Sequence, residues 1–269
     1  MGSSLYLFLS LSWCDMTQIV TRASKVLRDE GMIIFFQKAL AYIKLEPLIL
    51  PYAFLKIKKL SPNSLDDLVD FSFDGAAGLI RPLQVRNEIS ELLRILDEMK
   101  PKVVIEVGTA GGGTLFLFCH IATEDATIIS IDFPDRRFGG GYPRWKIPLY
   151  KAFSLPEQKL YLLRADSHSQ ETLGKIKNIL DGRKVDFVFI DGDHTYEGVK
   201  RDFEMYSPLL SSSGLLAFHD IVVHPEEVGC EVSKFWGEVT ASTKYKHTLI
   251  VNDPKQTSCG IGILTEEKQ

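Results

Sequence analysis

Cysteine is scarce in this chain, and neither sign of charge dominates it. Four cysteines in 269 residues, Cys14, Cys119, Cys230 and Cys259, stand too far apart for a metal-finger motif and too few for a disulfide framework. Scattered thiols of this kind fit a reducing cytoplasm. A formal net charge of -4 gives no electrostatic pull toward nucleic acid, so no nucleic-acid partner is expected. Repeats and low-complexity tracts are lacking. So are apolar runs of the roughly 20 residues that span a bilayer. The apolar stretch from Leu5 to Trp13 has no Lys or Arg before it and no small-x-small site after it, unlike a secretory signal. Met16, which opens an ordinary polar helix, is read as the native start.

What is present is a globular composition, 45% hydrophobic and 25% charged. The organisation changes near residue 100. Before it the pattern is helical, with helices expected over 17–30 and 31–44. A third apolar stretch, LEPLILPYAFLKIKKL, is interrupted by Pro47 and Pro51. Its mix of apolar and basic residues suits either packing on the main domain or docking on a partner or membrane surface. Over 84–99, Val85, Ile89, Leu92, Leu93 and Leu96 recur at the spacing of one buried helix face, and Pro101 ends the helix.

After residue 100, strands are expected at 103–107, 127–132, 159–165, 186–191, 214–219, 246–251 and 260–264. Helices are expected at 112–122, 144–153, 169–180, 196–209 and 229–240. Such alternation implies a mostly parallel sheet with helices on both faces. Asn252-Asp253-Pro254 leaves no room for a helix between the last two strands, so they form a hairpin and one of them runs antiparallel. The domains read as a helical extension over 1–80 and an α/β domain over 81–269.

The polar residues gather at strand ends, where open α/β sheets bind ligands. The first strand runs into Glu106-Val107-Gly108-Thr109-Ala110-Gly111-Gly112-Gly113-Thr114, a glycine turn that lets a nucleotide-like ligand approach the backbone. Asp132 ends the second strand, where an acid accepts from ribose hydroxyls. Asp166 and Ser167 follow the third and suit an adenine edge, although either also suits a helix N-cap. The fourth strand runs into Asp191-Gly192-Asp193-His194, and His194 is read as a general base, with capping of the next helix as its alternative. His219-Asp220 ends the fifth strand and with Asp191 makes a candidate metal site; the carboxylates suit Mg²⁺, and the imidazole tilts the set toward Mn²⁺, Fe²⁺ or Zn²⁺.

Taken together, EVGTAGGGT, FIDGDHTYEGVKRDF and GLLAFHD resemble class I S-adenosylmethionine-dependent methyltransferases, within the group related to cephalosporin hydroxylase and macrolide-sugar O-methyltransferases. The resemblance covers about residues 80–265. It implies a Rossmann-like seven-stranded sheet with the last strand reversed. It implies S-adenosylmethionine bound by Glu106, Gly108, Thr109, Gly112, Thr114, Asp132, Asp166, Ser167 and Asp191, with Thr114 near the methionine carboxylate. Asp191, His219 and Asp220 fall where related enzymes hold Mg²⁺ with acids, and His219 departs from that pattern. His194 and Asp191 become the catalytic residues, because His194 stands where catechol-type enzymes carry a lysine. The N-terminal segments resemble extensions of bacterial methyltransferases in surface-glycan pathways. The loop from Arg136 to Trp145, with arginines, aromatics and glycines, reads as a lid over a sugar or anionic acceptor. The expected activity is O-methylation of a small-molecule or sugar hydroxyl by a cytoplasmic enzyme, with homo-oligomers and peripheral membrane contact through the N-terminal helices as open expectations. Two alternatives stay open: an NAD-dependent oxidoreductase and a non-catalytic cofactor-binding or docking module.

Overall fold

A computed structural model describes residues 46–134 and 141–266. The helices expected over 17–30 and 31–44, the Met16 start and most of the glycine stretch of the loop lie outside those residues. A compact unit begins at Leu50, so residues 50–80 fold with the sheet that follows them.

Helix α1 (Glu46–Lys58) runs through Pro51, where the sequence predicts an interruption. Pro47 sits in the first turn, where a backbone N–H has no helical partner, and Pro51 forfeits one further bond. Burial of Ala53 and Ile57 holds the helix against that loss. Helix α2 (Leu65–Asp74) was not expected from periodicity. Its local signal is Ser64 followed by Asp67: the Ser64 hydroxyl accepts from Asp67 N, and the Asp67 carboxylate accepts from Asn63 N. Helix α3 (Arg86–Met99) buries Ile89, Leu92, Leu93 and Leu96. It starts two residues later than expected and so leaves Gln84 outside it.

The strands are β1 (Val103–Val107), β2 (Thr127–Asp132), β3 (Lys159–Arg164), β4 (Val185–Ile190), β5 (Leu210–His219), β6 (Tyr245–Ile250) and β7 (Ile261–Glu266). They form one sheet in the order β3-β2-β1-β4-β5-β7-β6. Only β7 runs against the others, pairing antiparallel with both β5 and β6. The expected hairpin is therefore present, and β7 is its reversed arm. Between the strands lie α4 (Gly113–Ile121), α5 (Ile147–Lys151), α6 (Gln170–Leu180), α7 (Tyr196–Tyr206) and α8 (Val232–Thr240).

Alternate residues of each central strand face opposite layers. Ile105, Ile129 and Val188 share a core with Leu173 and Ile176 of α6, Tyr206 of α7 and Phe235 of α8. On the other face, the Phe118 ring of α4 meets Phe187 and Phe189 edge-on at 5.2 and 5.4 Å. With both faces covered, β1 and β2 are buried at every residue, which explains why they are mostly apolar and why Glu106 and Ser130 there must bond to each other.

One buried acid ties α3 to the β6–β7 connection. Glu88, 1% exposed, accepts from the backbone N–H of Asn252 and Gly260 and from Gln256 Nε2, at 3.0, 2.9 and 2.7 Å. Glu88→Ala strands these donors. It is expected to lower stability by about 3 kcal/mol in a denaturant titration; a loss under about 1 kcal/mol would show that the loop is held by other means.

Candidate active site

The carboxyl ends of β1 to β4 surround a cleft of about 500 Å³. Gly108, Asp132, Asp166, Ser167, Asp191 and His194 all line it. Thr109, Gly112 and Thr114 instead line a recess of about 20 Å³ beside it, which shares Gly108 and Asp191 with the cleft.

The glycine turn is fixed from beneath. Gly108 has φ +94°, and a Cβ there would lie 1.9 Å from the carbonyl oxygen of Asp191, so no side chain fits between β1 and β4. Glu106 points away from the cleft and is fully buried. Its carboxyl accepts from Thr114 Oγ1 at 2.6 Å and Ser130 Oγ at 2.8 Å, and Ser130 in turn bonds Thr109. Glu106 therefore props the turn, and the Thr114 hydroxyl is directed to Glu106. Burial raises the Glu106 carboxyl from its ordinary 4.5 to about 8, against the lowering effect of both hydroxyls.

Asp132 receives the turn as well. Its Oδ2 accepts from Thr109 N and Ala110 N at 3.1 and 2.7 Å, and its Oδ1 from Gly141 N at 2.8 Å. Of the expected lid, Gly141 is thus tied to the site and Tyr142 is buried, while residues 135–140 lie outside the described part. Asp166 Oδ1 accepts from His168 N. Neither Asp166 nor Ser167 caps α6; that place belongs to Ser169, whose hydroxyl accepts from Glu171 N. Likewise Thr195, not His194, caps α7. His194 is left with its side chain 38% exposed in the cleft.

Asp191 is the hub. Its Oδ2 accepts from Gln84 Nε2 at 2.6 Å. Its Oδ1 lies 3.2 Å from His194 Nε2 and 3.2 Å from His219 Nδ1. Burial opposes ionisation of Asp191, but the two imidazoles outweigh it and hold the carboxyl well below the usual range. The other nitrogen of His194 is 3.5 Å from Asp220 Oδ2, and Asp220 Oδ1 lies 3.4 Å from His219 Nδ1 and 3.3 Å from His224 Nε2. Hydrogen bonding to Asp191 raises the His194 pKa, with burial opposing it. Sequence reasoning missed Gln84, which was read as helix and meets Asp191 only through the fold, and His224, which lies four residues from Asp220 in no recognised motif.

These residues do not fit Mg²⁺. That ion asks for near-octahedral oxygen ligation. Here an imidazole stands between the two carboxylates, and its buried Nε2 meets no hydrogen-bond partner. No step of the chemistry below is routed through a metal.

Residues 105–221 match the family described as "Methyltransferase domain". Among solved structures, the O-methyltransferase TomG of Streptomyces achromogenes, which acts in tomaymycin synthesis and was crystallised with S-adenosylmethionine, is 16% identical, with a TM-score of 0.50 over 78% of this chain and 92% of that one. An O-methyltransferase of Bacillus cereus, crystallised with S-adenosylhomocysteine, is 15% identical, with a TM-score of 0.50 over 79% and 96%. These likenesses speak for the fold. The uncharacterized protein y4gI of Sinorhizobium fredii (strain NBRC 101917 / NGR234) is 27% identical over 166 residues, 58% of this chain; the chain spans only 17% of that relative's length.

The strand order with β7 reversed separates this sheet from the six-stranded parallel dinucleotide-binding order. With the domain match over 105–221, it gives the chain the fold of the class I methyltransferases.

The buried Glu106 makes stability depend on pH. Between about 4.5 and 8 the folded chain keeps a proton that the unfolded chain has released, so stability falls as pH rises through that window and levels off above it. Glu106→Gln is expected to remove this decline. Melting temperatures of both proteins from pH 4.5 to 8.5 measure it, and parallel curves would show that Glu106 titrates normally.

Proposed function

We propose that the cleft binds S-adenosylmethionine and that the chain transfers its methyl group to an oxygen of a small-molecule acceptor, a sugar hydroxyl being the reading the sequence favours. The convergence of Gly108, Asp132, Asp166 and His194 on one cleft carries this reading. In it, the turn after β1 takes the methionine part, Asp132 the ribose, and Asp166 with Ser167 the adenine edge. The helix N-terminus at Gly113 offers unpaired N–H groups to the methionine carboxylate.

Transfer is a direct displacement. The acceptor oxygen attacks the methyl carbon, the carbon–sulfur bond breaks, and the neutral thioether leaves. The hydroxyl proton passes to His194, whose imidazolium is then flanked by the carboxylates of Asp191 and Asp220. Gln84 fixes Asp191 from the other side and so fixes the orientation of His194. Rate comes mainly from alignment of oxygen, carbon and sulfur. The described cysteines are all free thiols, which supports the reading of a reducing compartment. No helix among the described residues is long and apolar enough to cross a membrane. Of the N-terminal segments read as a membrane contact, LILPYAFLKIKK forms most of α1, with Ala53 and Ile57 buried and Tyr52 and Leu55 exposed, and those before residue 46 lie outside the described part.

Calorimetry should show binding of S-adenosylmethionine and none of NAD; the reverse would restore the oxidoreductase reading. His194→Ala should keep cofactor affinity within about twofold and lose roughly 10²–10⁴-fold in kcat on any acceptor found in a hydroxyl screen. Full activity of that variant would remove His194 from the mechanism.

A further inference from the structure

The end of β5 meets the start of β7 at a cluster of which methyl transfer uses only Asp220. Val222 N donates to Cys259 O at 3.1 Å and Ile221 N to Gly260 O, which sets the Cys259 turn against Asp220. Glu88 clamps the same turn through Gly260 N. His219, Asp220 and Cys259 each offer one donor atom, and the three atoms lie within 4.8 Å of one another.

The hydrogen bond of the His219 imidazole prepares it for coordination. His219 Nδ1 faces the Asp191 carboxylate, so a cation that displaces the second ring proton finds the lone pair on Nε2. That Nε2 is buried without a hydrogen-bond partner, on a side chain 5% exposed. A carboxylate on one ring nitrogen and an open lone pair on the other is the arrangement that supports metal-bound histidine. Beside the cluster, His224 is already engaged: Nδ1 bonds Val222 O at 2.8 Å, and Nε2 lies 3.3 Å from Asp220 Oδ1 and accepts from Cys259 N at 3.4 Å. Asp220 and Cys259 also both hold left-handed backbone, φ 61° and 63°, without being glycine.

We infer that His219, Asp220 and Cys259 bind a borderline-soft divalent cation, Zn²⁺ above all. Nitrogen, oxygen and thiolate donors select such an ion, and Mg²⁺ is refused by the imidazole and the thiol. A second trio, His194, Asp220 and Cys230, shares Asp220. It is less suited, because both nitrogens of His194 already face carboxylates and the ring is open to the cleft. The inference stands on the donors and does not depend on the methyl acceptor.

The test uses the full chain, stripped of metal and titrated with Co²⁺ as a spectroscopic stand-in. One Co²⁺ per chain should bind with a thiolate-to-metal charge-transfer band, be displaced by stoichiometric Zn²⁺, and resist millimolar Mg²⁺. Cys259→Ser should abolish the band and weaken Zn²⁺ binding at least tenfold, while Cys230→Ser leaves both unchanged. S-adenosylmethionine calorimetry on Cys259→Ser reports whether that variant folds, and keeps failure of the metal site distinct from failure of the methyltransferase reading. No thiolate band, a band lost in Cys230→Ser and kept in Cys259→Ser, or Mg²⁺ affinity equal to that for Zn²⁺ would each overturn the inference.

Discussion

Asp191 stands at the end of β4 with Gln84 on one carboxylate oxygen and two imidazoles against the other. A carboxylate buried at a sheet edge is costly unless its lone pairs are met by donors. Meeting them draws the segment before α3, the turn after β4 and the end of β5 to one point. The same residue's carbonyl oxygen leaves no room for a Cβ on Gly108. Side chain and backbone of one residue thus set how closely the β1 turn approaches β4, and with it the width of the cleft between them.

Two acids near the cleft divide the work by burial. Glu106, fully buried and held near neutral, props the glycine turn through hydroxyl donors. Asp132 lies at the cleft wall and is bonded by three backbone amides, which fix its carboxylate at the place where the turn and the Gly141 segment meet. The first is structural scaffolding for the second. Motif reading groups them as cofactor ligands, because both lie at strand ends that point the same way.

The sheet was legible at nearly every strand. β1 and β2 fall where expected to the residue, and the others shift by one or two residues, apart from the longer start of β5. Both-face burial makes such strands mostly apolar, and that signal is local. The helices before β1 were less legible. α2 has a weak periodic signal and rests on a cap at Ser64, and α1 tolerates a proline that local propensity places against it. In both cases burial against the rest of the fold outweighs intrinsic preference.

The sequence by itself determined the layered α/β class, the glycine turn, and the presence of Asp132, Asp166, Asp191, His194, His219 and Asp220 at strand ends, because each is set by neighbours within a few residues. Only the tertiary structure decided which of them meet. Gln84 is 107 residues from its partner Asp191, and Cys259 belongs to a turn brought beside Asp220 by the reversal of β7. Contacts of that range depend on strand order and on which buried acid finds which donor, and no local pattern encodes them.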